Sequence, residues 1–120
     1  MSEPRFDDKP IAMLRRVGRE ALAKRMIDLF LASAPGRVTG IEAALASGDL
    51  DGARRGAHSL KPSAGQLGAA RLSDVCQRIE DAATEGDSNT AGALLPDLHG
   101  ELALAIEWLQ AGAPHDPPQE

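Results

Sequence analysis

Aromatic residues and cysteines are almost missing from this sequence. Aromatics make up 2% of the chain, tyrosine is absent, and Cys76 is the one cysteine, which excludes an internal disulfide. Alanine and leucine, both strong helix formers, supply most of the apolar residues, whereas the aromatic residues that favour strands are nearly lacking. This composition predicts an all-α protein with Phe30 and Trp108 as its interior aromatic side chains and Phe6 in a terminal segment.

Long hydrophobic runs are also absent. No segment of the sequence reaches the roughly 18 apolar residues that a membrane span needs. The residues from Met1 to Pro10 are too polar and charged for a signal peptide. We therefore expect a cytoplasmic protein that does not enter a membrane.

Basic residues are absent from the last third of the chain. Residues 79–120 contain nine acidic side chains and no lysine or arginine, whereas residues 51–78 contain five basic side chains against two acidic ones. With a net charge of −5, the protein is a poor candidate for binding nucleic acid. The basic middle stretch instead suits a partner with an anionic site.

The chain length of 120 residues fits a single domain. We predict a flexible leader at 1–9, a helical domain at 10–111 and a disordered tail at 112–120. Apolar residues at helical spacing predict helices at 10–17, 19–33, 35–46, 50–67 and 70–85, and a last helix ending near 111. Because short connections favour antiparallel neighbours, the predicted fold is an up-down antiparallel four-helix bundle with a short additional N-terminal helix.

Two features of this helix plan depend on single positions. Pro35-Gly36 is expected to break or bend the chain, and Pro96 either kinks the last helix or forms its first turn. The helix before Pro35 is predicted to bury Leu22, Met26, Leu29 and Phe30. The central helix carries a regular seam of apolar residues three and four apart, at Leu50, Ala53, Ala57, Leu60, Ala64 and Leu67.

His58 is the candidate reactive residue. It follows the seam residue Ala57, and a rotation of about 100° per residue turns its imidazole away from the core. Lys61 lies one turn further along the same side, and Arg54 and Arg55 lie one turn back. An exposed imidazole is a good nucleophile near neutral pH because a useful fraction is uncharged. Lys61 would partly offset the charge of about −2 that a phosphoryl group carries.

The segment around His58 resembles a known signature. Residues 57–80 read AHSLKPSAGQLGAARLSDVCQRIE, and Gly48-Asp49-Leu50 precedes them at the usual distance. This segment is similar to the signature of histidine-containing phosphotransfer (HPt) domains, which are four-helix bundles, and the similarity extends over about residues 10–110. The matching positions are His58, Leu60, Lys61, Ser63, Leu67, Gly68, Leu72, Cys76 and Glu80, with Ile79 in place of leucine.

The resemblance implies a phosphorelay intermediate. His58 would accept a phosphoryl group from the receiver-domain aspartate of a hybrid histidine kinase or response regulator and pass it to another receiver aspartate. The chain would have no kinase activity and no cofactor of its own, since the receiver supplies Mg²⁺ and carboxylates, and catalysis would be mainly in-line positioning. Lys61 would help to hold the phosphoryl oxygens, and Glu80 is a candidate for orienting the ring. A monomer is expected.

The docking surface for the receiver is predicted on the outward side of the central helix and on the N-terminal helix. Its residues are Arg54, Arg55, Pro62, Gly65, Gln66, Met13 and Leu14. Pro62 stands where the family usually has glycine. It removes the amide that would bond to the His58 carbonyl, so a kink just past His58 and a shift of Lys61 are expected.

Three alternatives remain open. Pro62 favours an HPt-like bundle that docks on receivers without transferring phosphate. A second alternative is the phosphotransfer part of a histidine kinase, although the chain contains no nucleotide-binding glycine-rich motif. The third is a dimerising structural bundle. A metal site is not predicted, because His58, Cys76 and His99 lack the close spacing of zinc ligands.

Overall fold

The computed structural model describes residues 5–114, which form helices joined by short turns. The helices in chain order are α1 (Lys9–Arg16), α2 (Glu20–Ala46), α3 (Leu50–Gln66), α4 (Ala70–Thr84), α5 (Ser88–Ala93) and α6 (Leu95–Gln110). α2 packs on α3, α3 on α4, α4 on α6 and α6 on α2, which closes a four-helix bundle, and α1 packs on α2 as the short additional helix. The predicted all-α bundle is confirmed. Within residues 5–114 no helix is long and apolar enough to span a membrane.

The turns of the bundle are short and capped. Three residues separate α2 from α3, α3 from α4, and α4 from α5, which makes the consecutive long helices antiparallel. The Asp49 carboxylate accepts a hydrogen bond from the Gly52 amide at 2.8 Å, and Asp87 accepts one from the Thr90 amide at 3.0 Å. Pro96 lies in the first turn of α6, where its missing N–H is not needed.

α2 runs as one helix through Pro35, so the predicted break at Pro35-Gly36 and the separate helix at 35–46 are wrong, while the alternative of a bend stays a prediction. Pro35 is exposed, while Ala34 and Val38 on either side of it are buried in one continuous face. A proline inside a helix costs about 3 kcal/mol. Burial of apolar side chains of α2 on both sides of the proline offsets this cost.

The buried face of α2 also differs from the prediction. Phe30 is buried as expected and Met26 is half-buried, but Leu22 and Leu29 are 36% and 61% exposed. α2 is apolar on more than one side, so the spacing of its large leucines indicated the wrong side. The residues that face the core are Ala23, Ile27, Phe30, Ala34, Val38 and Ile41.

α3 lies close to its neighbours because its seam consists of small residues. Ala53, Ala57 and Ala64 are completely buried, as predicted. On the α2 side, a Cβ added to Gly56 would lie 2.8 Å from Cγ1 of the buried Ile41. The backbone of α3 therefore touches the side chains of α2 directly, and this contact fixes which side of α3 faces outward.

Residues 5–8, which the sequence placed in a flexible leader, contact the bundle. The Phe6 ring stacks on Trp108 with centroids 4.5 Å apart and planes 3° from parallel. The Asp7 amide donates a hydrogen bond to the Gly68 carbonyl at 2.7 Å. Phe6, which was expected in a terminal segment, is thus packed on the interior residue Trp108.

Both ends of the described chain, at residues 5 and 114, contact side chains of α6. Arg5 forms an ion pair with Glu101 at 2.9 Å, and the Trp108 indole N–H donates to the Pro114 carbonyl at 2.8 Å. Residues 112–114 belong to the predicted tail, yet Ala113 is buried. The remainder of the predicted leader and tail, residues 1–4 and 115–120, lies outside the described residues.

Gly68 gives a direct test of this N-terminal contact. Its φ of +87° costs a residue with a side chain about 1–2 kcal/mol, and an added Cβ would collide with the Asp7 carbonyl oxygen. We expect Gly68→Ala to lower the free energy of unfolding by at least that amount, measured by urea unfolding with Trp108 fluorescence. Gly40→Ala is the control, because a Cβ there meets no atom within 4 Å and alanine favours helix. A Gly68→Ala variant as stable as the wild type would contradict this reading.

Candidate functional site

His58 and Glu80 form the centre of the candidate site. The His58 side chain, on α3, is 64% exposed, and its Nδ1 lies 2.9 Å from Oε2 of Glu80 on α4. An ionised carboxylate can only accept a hydrogen bond, so Nδ1 of the neutral ring carries the proton. Nε2 then holds the lone pair and makes no hydrogen bond within residues 5–114. The arrangement presents the nucleophilic nitrogen on an exposed ring.

Lys61 reaches the same carboxylate from the other side. Its ammonium donates to Oε1 of Gln77 and lies 3.4 Å from Oε1 of Glu80. The Gln77 amide in turn donates to Oδ1 of Asp81 at 2.8 Å. The Lys61 ammonium therefore offsets the negative charge of the Glu80 carboxylate, whose other oxygen faces Nδ1 of His58. Its predicted contact with phosphoryl oxygens remains a prediction.

The charge of Glu80 depends on these two neighbours. Partial burial opposes ionisation, but the hydrogen bonds from His58 and Lys61 and the positive charge of Lys61 outweigh it, so the pKa of Glu80 is lowered below its ordinary value. Glu80 is consequently a carboxylate at neutral pH, which is the state that holds the Nδ1 proton.

Pro62 does not interrupt the helix that carries His58. α3 continues through Pro62 to Gln66, and Lys61 keeps its contacts with α4. The Ser73 hydroxyl on α4 donates to the Lys61 carbonyl at 3.3 Å, which ties this turn of α3 to its neighbour. The side chains on which the candidate site depends are therefore together despite the proline.

The two arginines of the predicted basic patch are engaged with an acid that the sequence reasoning overlooked. Asp51 lies 2.9 Å from Nη2 of Arg54 and 3.1 Å from Nε of Arg55. The hydrogen bond from Arg54 is the main cause of a lowered pKa at Asp51, and the charges of both arginines add to it. The spacing of three and four residues on one helix was a sufficient signal for these pairs.

The other predicted docking residues fall into two groups. On the outward side of α3, Pro62, Gly65 and Gln66 are exposed beside His58. On α1, Met13 is 57% exposed and Leu14 is half-buried. α1 packs on α2, and the part of Met13 and Leu14 in a receiver-docking surface stays a prediction.

Arg37 is a residue near the site that the sequence analysis missed. It extends from α2 to α3, where its Nη1 lies 3.1 Å from the Ser59 hydroxyl and 3.3 Å from both the Ser59 carbonyl and the Ser63 hydroxyl. Ser59 directly follows His58 in the chain. The contact depends on how α2 and α3 pack against each other, so no local sequence pattern predicts it.

The cysteine and the second described histidine are not part of the candidate site. Cys76 is completely buried, and burial raises the pKa of its thiol to about 12, so it is a core residue. His99 on α6 lies 3.1 Å from Glu42 on α2. Among residues 5–114 there is no group of three or more His, Cys, Asp or Glu side chains arranged to hold a metal ion.

The lowered pKa of Glu80 predicts a pH effect on stability. A depressed native pKa means that the ionised form stabilises the fold at neutral pH and that this contribution is lost as the pH falls through that pKa. We expect the free energy of unfolding to fall more steeply between about pH 5 and about pH 3 in the wild type than in Glu80→Gln. Urea unfolding across this range measures it. The exposed Glu107→Gln variant should follow the wild type, and parallel curves for wild type and Glu80→Gln would contradict the prediction.

Comparison with known proteins identifies the family to which the sequence and the fold belong. The family described as the Hpt domain matches residues 25–112. The fold is similar to the crystal structure of histidine-containing phosphotransfer protein B (HptB) from Pseudomonas aeruginosa PAO1, with a TM-score of 0.85 and 30% identity over 92% of this chain and 96% of that chain. No curated protein sequence matches. Hpt domains carry phosphoryl groups in phosphorelays and interact with receiver domains. The chain belongs to the Hpt domain family of histidine phosphotransfer proteins.

Proposed function

We propose that His58 accepts a phosphoryl group on Nε2 from the aspartate of one receiver domain and passes it to the aspartate of another. The observation that carries this proposal is the contact between Nδ1 of His58 and Glu80 at 2.9 Å, which leaves Nε2 as the available nucleophile on an exposed ring. The receivers would be those of response regulators or hybrid histidine kinases, and the chain would act as a monomer without kinase activity.

The transfer step needs no proton movement through solvent. The Nε2 lone pair attacks the phosphorus of the receiver acyl phosphate, the N–P bond forms, and the bond from phosphorus to the aspartate oxygen breaks to release a carboxylate. The ring keeps its Nδ1 proton and becomes positively charged, facing the Glu80 carboxylate. In the second transfer an aspartate oxygen attacks the phosphorus and Nε2 leaves with its electron pair, so the ring returns to its neutral state.

Lys61 and Glu80 have complementary roles in this proposal. Glu80 holds the ring orientation and stabilises the imidazolium form, while Lys61 limits the net negative charge that an incoming phosphoryl group meets. The receiver would contribute Mg²⁺ and its carboxylates, and the bundle would supply a rigid platform for in-line attack. The orientation of the ring is set by α4 and the position of the ring by α3.

A panel of purified receiver domains carrying labelled aspartyl phosphate tests the proposal. We expect acid-labile, base-stable label to appear on the wild-type chain. His58→Gln should abolish it, because glutamine has no nucleophilic ring nitrogen.

His99→Gln is the matched control for this experiment. It removes the other described histidine, which pairs with Glu42 on a different helix pair, and should retain wild-type labelling. Label on a folded His58→Gln variant would overturn the assignment of His58. Binding of receivers without any transfer of label would favour a docking module that carries no phosphate.

A further inference from the structure

Pro62 removes a backbone hydrogen bond from α3 directly beside the candidate site. It has no N–H to donate to the carbonyl of His58, four residues back, and its ring crowds that carbonyl. A proline inside a helix is a common cause of a sharp kink. α3 nevertheless continues to Gln66, and Lys61, which precedes the proline, keeps its contacts with α4. Contacts from outside α3 are therefore expected to hold this turn in place.

The two helices that flank α3 donate hydrogen bonds to carbonyls of the turn before Pro62. From α2, Nη1 of Arg37 lies 3.3 Å from the Ser59 carbonyl oxygen. From α4, the Ser73 hydroxyl donates to the Lys61 carbonyl at 3.3 Å. Side-chain donors can satisfy helix carbonyls in place of amides, so these two contacts stabilise the backbone where the proline weakens it.

Arg37 also spans the proline. The same Nη1 lies 3.1 Å from the Ser59 hydroxyl and 3.3 Å from the Ser63 hydroxyl. Ser59 and Ser63 are one turn apart on the same side of α3, and Pro62 lies between them in the chain. Within residues 5–114 every hydrogen bond that Arg37 donates goes to these two serines. One guanidinium group thus joins the residue before the missing hydrogen bond to the residue after the proline.

The braced turn is the one that carries the reactive groups. His58 directly precedes Ser59, and its Nδ1 lies 2.9 Å from the Glu80 carboxylate. The Lys61 ammonium lies 3.4 Å from the same carboxylate, which is near the upper limit of a hydrogen bond. A small displacement of this turn would therefore be enough to separate these side chains from α4.

We propose that Arg37 is a positioning residue, which braces α3 across Pro62 and thereby keeps the His58 ring on its carboxylate. The inference rests on the proposed transfer at His58 and adds to it a residue from α2. Arg37 has no hydrogen bond to the ring, so it acts through the backbone and the serines of α3.

Arg37→Met tests the brace, because methionine keeps an apolar stem and has no donor. The first readout is the fraction of the neutral His58 ring that carries its proton on Nδ1, measured from long-range ¹H–¹⁵N spectra that His58→Gln assigns. The second is the rate at which phosphoramidate, a small phosphoryl donor that needs no docking, labels His58. We expect Arg37→Met to lower the Nδ1-protonated fraction and to slow labelling by about fivefold.

Pro62→Ala provides the rescue. It restores the amide that the helix lacks, so the brace is no longer needed. In the Pro62→Ala background, Arg37→Met should change the labelling rate by less than about twofold and leave the tautomer fraction unchanged. A role of Arg37 that depended only on its charge would give the same effect in both backgrounds.

Arg25→Met is the matched control. It removes another exposed arginine of α2, which contacts neither Ser59 nor Ser63, and should keep the wild-type spectrum and labelling rate. Urea unfolding checks that every variant is folded under the conditions of the two measurements.

Three results separate the possibilities. If Arg37→Met keeps the wild-type tautomer fraction and labelling rate, or changes them equally with and without Pro62, the brace is wrong. If it slows only transfer from receiver domains, Arg37 acts on the partner and the brace is again wrong. A wild type that takes no label from any receiver would overturn the proposed transfer, whereas the ring spectra of the four Arg37 and Pro62 combinations would still decide whether Arg37 positions the ring.

Discussion

The close packing of α3 between α2 and α4 is the constraint from which the rest of the structure follows. Ala53, Ala57 and Ala64 let the backbone of α3 approach its neighbours, and the rotation of the helix is fixed by burying them. Once that rotation is set, the residues on its two flanks have defined partners. His58 meets Glu80 on α4, and Ser59 meets Arg37 on α2. The contact of His58 with Glu80 on one flank of α3 and the contact of Ser59 with Arg37 on the other both follow from how this helix is packed.

A single carboxylate shared by an imidazole and an ammonium suits the proposed acceptance and release of a phosphoryl group. In the proposed transfer Glu80 would hold the Nδ1 proton in both states, so that the charge on the ring changes without a proton leaving it. Lys61 balances the carboxylate from the opposite oxygen. A carrier benefits from such a balance because a phosphohistidine that is stabilised too strongly would not pass its phosphoryl group on.

The sequence predicts the parts of this structure that depend on neighbours within one helix. The seam of α3 follows from local spacing, and the family resemblance singled out Glu80 as a candidate for orienting the His58 ring. The face of α2 was mispredicted because Leu22 and Leu29 are larger than the alanines that pack inside, and only the bundle decides which apolar side is covered. Arg37 was missed for the related reason that its partners lie 22 and 26 residues away on another helix.

The contact between Gly56 and Ile41 links two positions that are far apart in the chain. A side chain at 56 would run into Cγ1 of Ile41, which is itself fully buried and has little room to turn away. Relatives that replace the glycine by alanine are therefore expected to carry a smaller residue at 41. The pair is a place where the evolutionary record of the family should show compensated change, and where grafting α3 from one member into another would fail unless α2 came with it.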